Sequence, residues 1–392
     1  MTCPLKVMKR FLLLILLIIP LAFTSCEQED WPVKTDQTVL MYLPWSSNLK
    51  SYFETNISDF ESVVERNILK NERVVVFFCT SPTEAVLFEL AYDNGKCIRK
   101  PPPKIYHNPA FTTATGITSI LNDVKTLAPA NRYAMTIGCH GMGWIPVPTA
   151  QVRSIGQKKH WEYEGVLLTR YFGGLSPEYQ TNTTTLAEGI ANAGIKMEYI
   201  LFDDCYMASV EVAYDLKEVT DYLIASPCEI MAYGMPYAEI GPHLLGKVDY
   251  ESICDAFYEF YKNYEEMPCG TIGVTVCSEL ENLAATMKEI NNQYTLPSSS
   301  LYTIQTMDGY TPTLFFDCGD YVAKLCTNAG LLARFEEQLE RTIPYKRHTD
   351  YYYTMNKGKI KINTFSGATI SDPSINSYAT EKYQTAWYKA TH

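Results

Sequence analysis

The chain has 392 residues, of which 46% are hydrophobic and 20% are charged, and its formal net charge is −11. This acidic balance argues against nucleic acids and anionic lipid surfaces as partners, whereas a basic peptide remains compatible with it. The length exceeds that of one typical core, so we expect one large α/β domain with an appended lobe, or two domains.

The N-terminal segment has the composition of an export signal. Basic residues among 6–10 precede an uncharged apolar stretch at 11–23, and Thr24-Ser25-Cys26 follow. This order predicts the charged region, apolar region and small-residue cleavage site of a signal peptide. The apolar stretch is shorter than the roughly 20 residues that span a membrane. A cysteine directly after the small residues resembles a bacterial lipoprotein signal, which implies a lipid anchor on Cys26.

This resemblance divides the N-terminus into a lipoprotein signal peptide at residues 1–25 and an acidic tether at 26–36. It implies an exported protein that is anchored to the bacterial outer membrane or cell surface and contacts the membrane through the lipid anchor alone. Phe23 departs from the usual lipoprotein pattern, so a plain secretory signal stays open. Both alternatives place the mature protein outside the cytoplasm.

Strand-like apolar runs alternate with helix-like stretches along residues 37–244, and we interpret this segment as one α/β domain. Repetition of strand, helix and strand predicts a mainly parallel sheet flanked by helices on both faces. The predicted strands are 38–43, 73–79, 85–92, 133–139, 199–204 and 221–226, and the predicted helices are 52–69, 115–127, 186–193 and 209–216.

The alternation continues more loosely in residues 245–392, which we interpret as a C-terminal α/β lobe packed on the first domain. Two stretches rich in tyrosine and isoleucine, 350–354 and 360–364, resemble edge strands. The remaining predictions are helices at 252–264, 280–294 and 323–342 and a strand at 270–276.

The twelve cysteines do not form a metal-binding pattern. Cys3 and Cys26 belong to the signal and the anchor, and no CxxC pair occurs among the others, so zinc spacing is absent. Several cysteines follow apolar runs, which favours free buried thiols, although export would permit disulfides. We expect no required cofactor and no metal site, while scattered acidic residues leave Ca²⁺ binding open.

Two of the predicted strands end in reactive side chains. One runs into His140-Gly141 and the other into Cys205. Neighbouring parallel strands end at the same sheet edge, where such sheets place their ligand sites, so the imidazole and the thiol are expected to meet there. Either residue alone is more often structural, but together at two strand ends they are the minimum parts of a nucleophilic cysteine enzyme.

These residues carry a resemblance to the clostripain family (C11) of cysteine peptidases, in the clan of caspases, gingipains and legumain. It rests on Asp203-Asp204-Cys205 and the residues to 216, on His140-Gly141, and on the segment 226–237. Weaker similarity extends over most of residues 38–389. The resemblance implies a caspase-like fold, a lipoprotein member of the family, a peptide or protein as substrate, and a monomer.

Carried over residue by residue, the resemblance implies that Cys205 is the nucleophile and His140 its general acid/base. The backbone N–H groups of Gly141 and Cys205 would stabilise the oxyanion. Asp203 lies on the same side of its strand as Cys205. It takes the place of the family acid that receives an Arg or Lys side chain, although a capping or solvated acid at a strand end is the alternative.

The chain departs from the family pattern at Tyr233, since members strict for basic residues carry an acid just before the glycine in this segment. Tyr233 supplies no charge at pH 7. Basic specificity is therefore expected to be weakened or changed, with Glu229 as an alternative acid.

Three classes of function stay open. The first is an endopeptidase that cuts after Arg or Lys, the second an inactive peptide-binding lipoprotein, and the third a related cysteine hydrolase or transpeptidase acting on another amide. The resemblance also implies activation by a cut between the His and Cys strands. Arg153-Ser154 and Lys158-Lys159 lie in that polar stretch and would suit self-cleavage, whereas Tyr233 argues against it.

Overall fold

A computed structural model describes residues 33–101, 103–147 and 176–392, excluding the side chains of 377 and 378. The predicted signal peptide, most of the tether and the anchor at Cys26 lie outside the described residues. So do Arg153 and Lys158 of the predicted cleavage segment. These predictions stay predictions.

The core of the fold is a ten-stranded mixed sheet in the order β11-β9-β8-β7-β6-β1-β2-β3-β4, with β5 paired to β3. The five central strands β8, β7, β6, β1 and β2 run parallel, and the flanking strands pair antiparallel. The strands of this sheet are β1 (Thr35–Leu43), β2 (Glu72–Ser81), β3 (Glu84–Asp93), β4 (Lys96–Arg99), β5 (Lys104–His107), β6 (Ala130–Gly138), β7 (Met197–Asp203), β8 (Thr220–Ala225), β9 (Thr271–Val276) and β11 (Tyr345–His348). The predicted mainly parallel sheet is confirmed.

The central strands are apolar along nearly their whole length because helices cover both of their faces. In β7, six of the seven residues Met197–Asp203 are buried, and in β1 the last seven are. Such continuous runs are typical of parallel strands, whereas strands with one solvent-exposed face alternate apolar and polar residues.

Ten α-helices lie among the described residues: α1 (Lys50–Glu65), α2 (Ala114–Leu127), α3 (Thr183–Asn192), α4 (Val210–Leu216), α5 (Tyr237–Leu244), α6 (Tyr250–Lys262), α7 (Leu280–Asn291), α8 (Cys318–Leu325), α9 (Ala329–Thr342) and α10 (Ala386–Thr391). The chain moves from β1 to β2 in one direction and from β2 through β6 and β7 to β8 in the other. Right-handed crossovers therefore put α1 on one face and α2, α3 and α4 on the opposite face. The packing agrees, since α1 contacts α5, while α3 contacts both α2 and α4.

The C-terminal segment contributes strands to the central sheet and also forms two small ribbons. β9 and β11 extend the main sheet beyond β8. The ribbons pair β10 (Phe315–Asp317) with β14 (Thr369–Ser371), and β12 (Tyr351–Thr354) with β13 (Gly358–Lys361). The domain boundary at residue 245 stays a prediction, with two strands from beyond it in the sheet of the first segment.

Of the two stretches expected as edge strands, 350–354 contains β12 and 360–364 overlaps the end of β13, and these strands pair with each other in a separate ribbon. One expectation is wrong in detail. The single helix expected at 323–342 is two helices, α8 and α9, because Asn328 begins a new helix by accepting the Leu331 N–H on its side chain. The expectation of free, mostly buried thiols is confirmed for the described cysteines.

Candidate active site

The ends of β6 and β7 meet at one edge of the sheet, as their sequences predicted. Gly138 and Asp203 are register partners in the parallel ladder. One residue further on, Asp204 bridges the two chain segments: its Oδ1 accepts the Cys139 N–H at 2.6 Å, and its Oδ2 lies 3.4 Å from the Cys139 sulfur. The backbone before His140 is therefore tied to the backbone before Cys205.

Gly141 brings the two segments into direct backbone contact. A Cβ added to Gly141 would lie 2.0 Å from the Cys205 carbonyl oxygen and 2.9 Å from the Cys205 nitrogen. Side-chain carbons do not approach backbone atoms so closely. Glycine is required here because the Cα of Gly141 packs directly on the peptide of Cys205.

His140 is fully buried and contacts a residue that sequence analysis missed. Its Nε2 lies 2.7 Å from Oδ1 of Asn48, in the loop between β1 and α1. An amide oxygen can only accept, so in this pairing Nε2 carries the proton. Asn48 gave no sequence signal because a lone asparagine in a loop is usually a turn residue.

The Cys205 thiol is fully buried and its sulfur accepts the backbone N–H of Ile230 at 3.2 Å. A donor aimed at sulfur stabilises negative charge there, and the thiolate is the reactive form of cysteine. The sulfur also lies 3.8 Å from the Ile230 carbonyl oxygen, to which the neutral thiol donates, so the Ile230 peptide holds the sulfur through both its N–H and its C=O.

Tyr206, immediately after Cys205, has a left-handed backbone conformation with φ of 62°. Its ring stacks on Phe315 with centroids 5.0 Å apart, and its hydroxyl donates to Glu229 Oε1 at 2.7 Å. Burial, followed by the nearby Glu229 carboxylate, raises the pKa of Tyr206 well above its ordinary value. The hydroxyl therefore remains a donor at neutral pH.

The proposed substrate-binding residues lie in two different settings. Asp203 is buried, and its Oδ1 accepts the Met235 N–H at 2.7 Å. Tyr233, two residues before Met235, is half-buried, and its hydroxyl donates to Asp59 Oδ2 of α1 at 2.7 Å. Burial raises the pKa of Asp59, and the Tyr233 hydrogen bond acts in the opposite direction. An acid that the sequence did not indicate thus lies beside Tyr233.

Glu229 is also buried, and both of its oxygens accept hydrogen bonds from the protein. Tyr206 OH donates to Oε1 at 2.7 Å, and the Met355 N–H donates to Oε2 at 3.0 Å. A role for Glu229 as a substrate-binding acid stays a prediction.

Within ranges 33–101, 103–147 and 176–392, no helix is long and apolar enough to cross a membrane. In the same ranges, no three His, Cys, Asp or Glu side chains are grouped as metal ligands. Binding of Ca²⁺ stays a prediction.

A model of the clostripain family matches residues 41–366 of the chain. A secreted C11 cysteine protease from Bacteroides thetaiotaomicron is 64% identical, with a TM-score of 0.85 over 92% of this chain and 100% of that chain. A clostripain from the same organism, in complex with the peptide inhibitor BTN-VLTK-AOMK, is 66% identical, with a TM-score of 0.56 over 57% of this chain and 99% of that one.

More distantly, an inactive zymogen C11 protease from Parabacteroides distasonis is 24% identical and has the same fold, with a TM-score of 0.77 over 92% of this chain and 99% of that chain. None of the curated proteins matches the chain.

Proposed function

The chain belongs to the clostripain family of cysteine peptidases, and we propose that it is an exported endopeptidase that cuts after Lys or Arg through Cys205 and His140. The observation that carries this proposal is the contact between the two strand ends. Gly141, next to His140, packs on the backbone of Cys205, and Asp204 ties the preceding residues together.

In the proposed reaction, the Cys205 thiolate attacks the carbonyl carbon of the scissile peptide bond and forms a tetrahedral intermediate. The N–H groups of Gly141 and Cys205 belong to touching backbone segments and can donate to the oxyanion. His140 takes the proton of the Cys205 thiol when the thiolate forms and gives it to the departing amine as the C–N bond breaks, so a thioester remains on Cys205. Water then attacks the thioester with His140 as general base, which releases the new carboxylic acid and returns the proton to the Cys205 sulfur.

Asn48 supports the acid/base role of His140. Since Nε2 donates to the Asn48 amide oxygen, we assign the exchange of the proton in the reaction to Nδ1. A base that is oriented by a third group is the general arrangement of enzymes with an activated nucleophile. Asn48 fills that third position in this proposal.

Preference for a basic side chain is supported by Asp203 and by a relative. Asp203 precedes the nucleophile by two residues, and its carboxylate is fixed by the Met235 N–H. The 66% identical clostripain binds an inhibitor whose peptide, VLTK, ends in lysine. A buried carboxylate facing an ammonium or guanidinium is a strong and selective contact. We therefore place Lys or Arg on the amino side of the cut bond.

The catalytic proposal is tested by Cys205→Ala and His140→Ala in the purified protein lacking residues 1–25. We expect the first to abolish hydrolysis of a fluorogenic lysine peptide and the second nearly to do so. Matched controls are Cys254→Ala, which removes a buried thiol from α6, and His107→Ala, which removes an exposed imidazole from β5. Undiminished turnover by Cys205→Ala would refute the mechanism. Loss of labelling by an electrophilic lysine peptide in the same variant would support it.

Export is proposed from the N-terminal signal and from the secreted relative. A lipid anchor at Cys26 is the finer part of this proposal. Full-length protein expressed in a bacterium is expected to partition into the detergent phase and to lose that partitioning in Cys26→Ala. Aqueous partitioning of both would leave a plain secretory signal as the better explanation.

A further inference from the structure

We propose that Glu229 is a positioning residue that fixes the Cys205 nucleophile from two sides, and that it does not bind the basic side chain of the substrate. This inference rests on the proposed role of Cys205 as nucleophile. It reassigns an acid that sequence analysis placed among the substrate-binding candidates.

Glu229 and the residue after it both contact the segment that carries the nucleophilic sulfur. Glu229 Oε1 accepts from the hydroxyl of Tyr206, the residue after Cys205, at 2.7 Å. The residue after Glu229 is Ile230, whose N–H donates to the Cys205 sulfur at 3.2 Å. The Tyr206 N–H also donates to the Cys228 carbonyl at 3.1 Å. The Cys205 thiol also donates to the Ile230 carbonyl oxygen at 3.8 Å. The nucleophile segment and the segment 228–230 are thus joined by these four hydrogen bonds, and the Glu229 carboxylate makes one of them.

Tyr206 has a backbone conformation that its surroundings must hold in place. A φ of 62° is uncommon for a bulky residue, and such conformations persist where the surroundings hold them. The Tyr206 ring stacks on Phe315 at 5.0 Å and lies 6.1 Å from the ring of Tyr310. The hydroxyl bond to Glu229 fixes the other end of the same side chain. Since Tyr206 follows Cys205 directly, its conformation orients the peptide that joins the two residues, which includes the Cys205 carbonyl.

The second carboxylate oxygen of Glu229 also has a donor within the protein. Glu229 Oε2 accepts the N–H of Met355, in the turn between β12 and β13, at 3.0 Å. A carboxylate on which protein donors already converge at both oxygens is suited to holding structure. Binding a lysine or arginine side chain would require those donors to be replaced.

The ring partner of Tyr206 is itself held by a buried acid. Asp308 accepts the N–H groups of Tyr310, Leu314 and Phe315 at 2.8, 2.8 and 2.6 Å, respectively. These bonds shape the loop that presents the Phe315 ring to Tyr206. The C-terminal segment therefore supports the nucleophile at Phe315 and, through Glu229, at Met355.

The test uses Glu229→Gln and Tyr206→Phe, assayed on two peptides that differ only in lysine or norleucine before the cut bond. Norleucine keeps the carbon chain of lysine and lacks its charge. We expect kcat to fall by about 10- to 100-fold on both peptides, with KM changing far less. Tyr206→Phe removes the hydroxyl that donates to the carboxylate, and Glu229→Gln removes the charge and leaves one amide oxygen for the two donors, Tyr206 OH and Met355 N–H. The rate at which neutral iodoacetamide alkylates Cys205 should fall together with kcat. This rate measures the reactivity of the sulfur in the absence of a peptide substrate.

Three controls separate the outcomes. Glu89→Gln removes a buried carboxylate from β3, where it pairs with Arg73 and Lys100, and should leave kcat and alkylation unchanged. The double variant Tyr206→Phe/Glu229→Gln should lose little more than either single variant, since both act on the same contact between Tyr206 and Glu229. Thermal melting identifies misfolding, and Tyr206→Phe, which removes a single oxygen, keeps the proposal testable if Glu229→Gln does not fold.

Losses confined to the lysine peptide, with normal alkylation, would overturn the proposal and return Glu229 to the substrate pocket. Wild-type kinetics in both variants would overturn it as well. A failure of the proposed function itself gives a different result. Full activity of Cys205→Ala would show that Cys205 is not the nucleophile, independently of the kinetics of the Glu229 variants.

Discussion

Replacement of Gly141 by alanine tests the contact on which the proposed active site depends. The added Cβ would lie 2.0 Å from the Cys205 carbonyl oxygen, and real Cβ contacts do not fall below 3.0 Å. The two backbone segments must therefore separate by at least 1.0 Å (3.0 − 2.0). A displacement of about 1 Å in a reacting group can cost ~100-fold in rate, and loss of one oxyanion donor costs about 100- to 1000-fold.

We therefore expect Gly141→Ala to lower kcat by about 100- to 1000-fold, while its backbone N–H is chemically retained. The assay is kcat and KM on a fluorogenic lysine peptide, with a melting curve for each sample to confirm folding.

The matched control is Gly330→Ala in α9, where an added Cβ meets its nearest neighbour, Asn328 Oδ1, at 3.4 Å. That variant should keep full activity and melt at the same or a higher temperature, since alanine is favoured over glycine in a helix by up to ~1 kcal/mol. Activity of a folded Gly141→Ala within about threefold of wild type would refute the reasoning, because such a change is under 1 kcal/mol in the barrier.

Four further predictions concern the surrounding residues. Asp203→Asn should slow cleavage after lysine at least ~10-fold more than cleavage after norleucine, because the charge is lost while an amide oxygen can still accept the neighbouring N–H; equal losses would assign Asp203 a structural role. Tyr233→Phe should raise the pKa of Asp59 further, since it removes the hydrogen bond that lowers it, and a carboxyl NMR titration showing a fall would contradict this. Asn48→Ala should lower kcat about 10-fold with little change in KM, because it removes one hydrogen bond to the imidazole of His140. An unchanged kcat would exclude an orienting role for Asn48. Self-cleavage between the two catalytic strands, at Arg153-Ser154 or Lys158-Lys159, is tested on a denaturing gel. Two associated chains in wild type and a whole chain in Cys205→Ala are the result expected if basic specificity is retained, and a single band with full activity in wild type would show that no cut is needed.

The centre of the fold was predictable because its signals are local. Each parallel strand is a continuous apolar run, and two of the helices beside them begin at a side-chain cap. Thr113 accepts the Gly116 N–H at the start of α2, and Ser209 accepts the Val212 N–H at the start of α4. The meeting of the His140 and Cys205 segments followed from the same logic, because two parallel neighbours must end at one sheet edge.

The supporting contacts of the site could not be predicted in this way. Asn48 reaches His140 from a position 92 residues earlier in the chain, and Met355 reaches Glu229 from 126 residues later. Neither residue has a periodic or motif-like setting, and each contact exists only after the whole sheet has formed. The charge of Glu229 and its place four residues before Tyr233 in the sequence do not indicate which donors surround its carboxylate.

The same reasoning explains why a nucleophile motif alone does not make an active site. Asp203-Asp204-Cys205-Tyr206 identifies the reactive sulfur, but φ of 62° at Tyr206 is not a conformation that tyrosine adopts by preference. It is compatible with the fold because Phe315 stacks on the ring and Glu229 accepts a hydrogen bond from the hydroxyl. Phe315 lies beyond residue 245, and so does Met355, which binds the other oxygen of Glu229. The C-terminal segment is therefore part of the proposed catalytic apparatus, even though every residue proposed to touch the reacting atoms lies before residue 245.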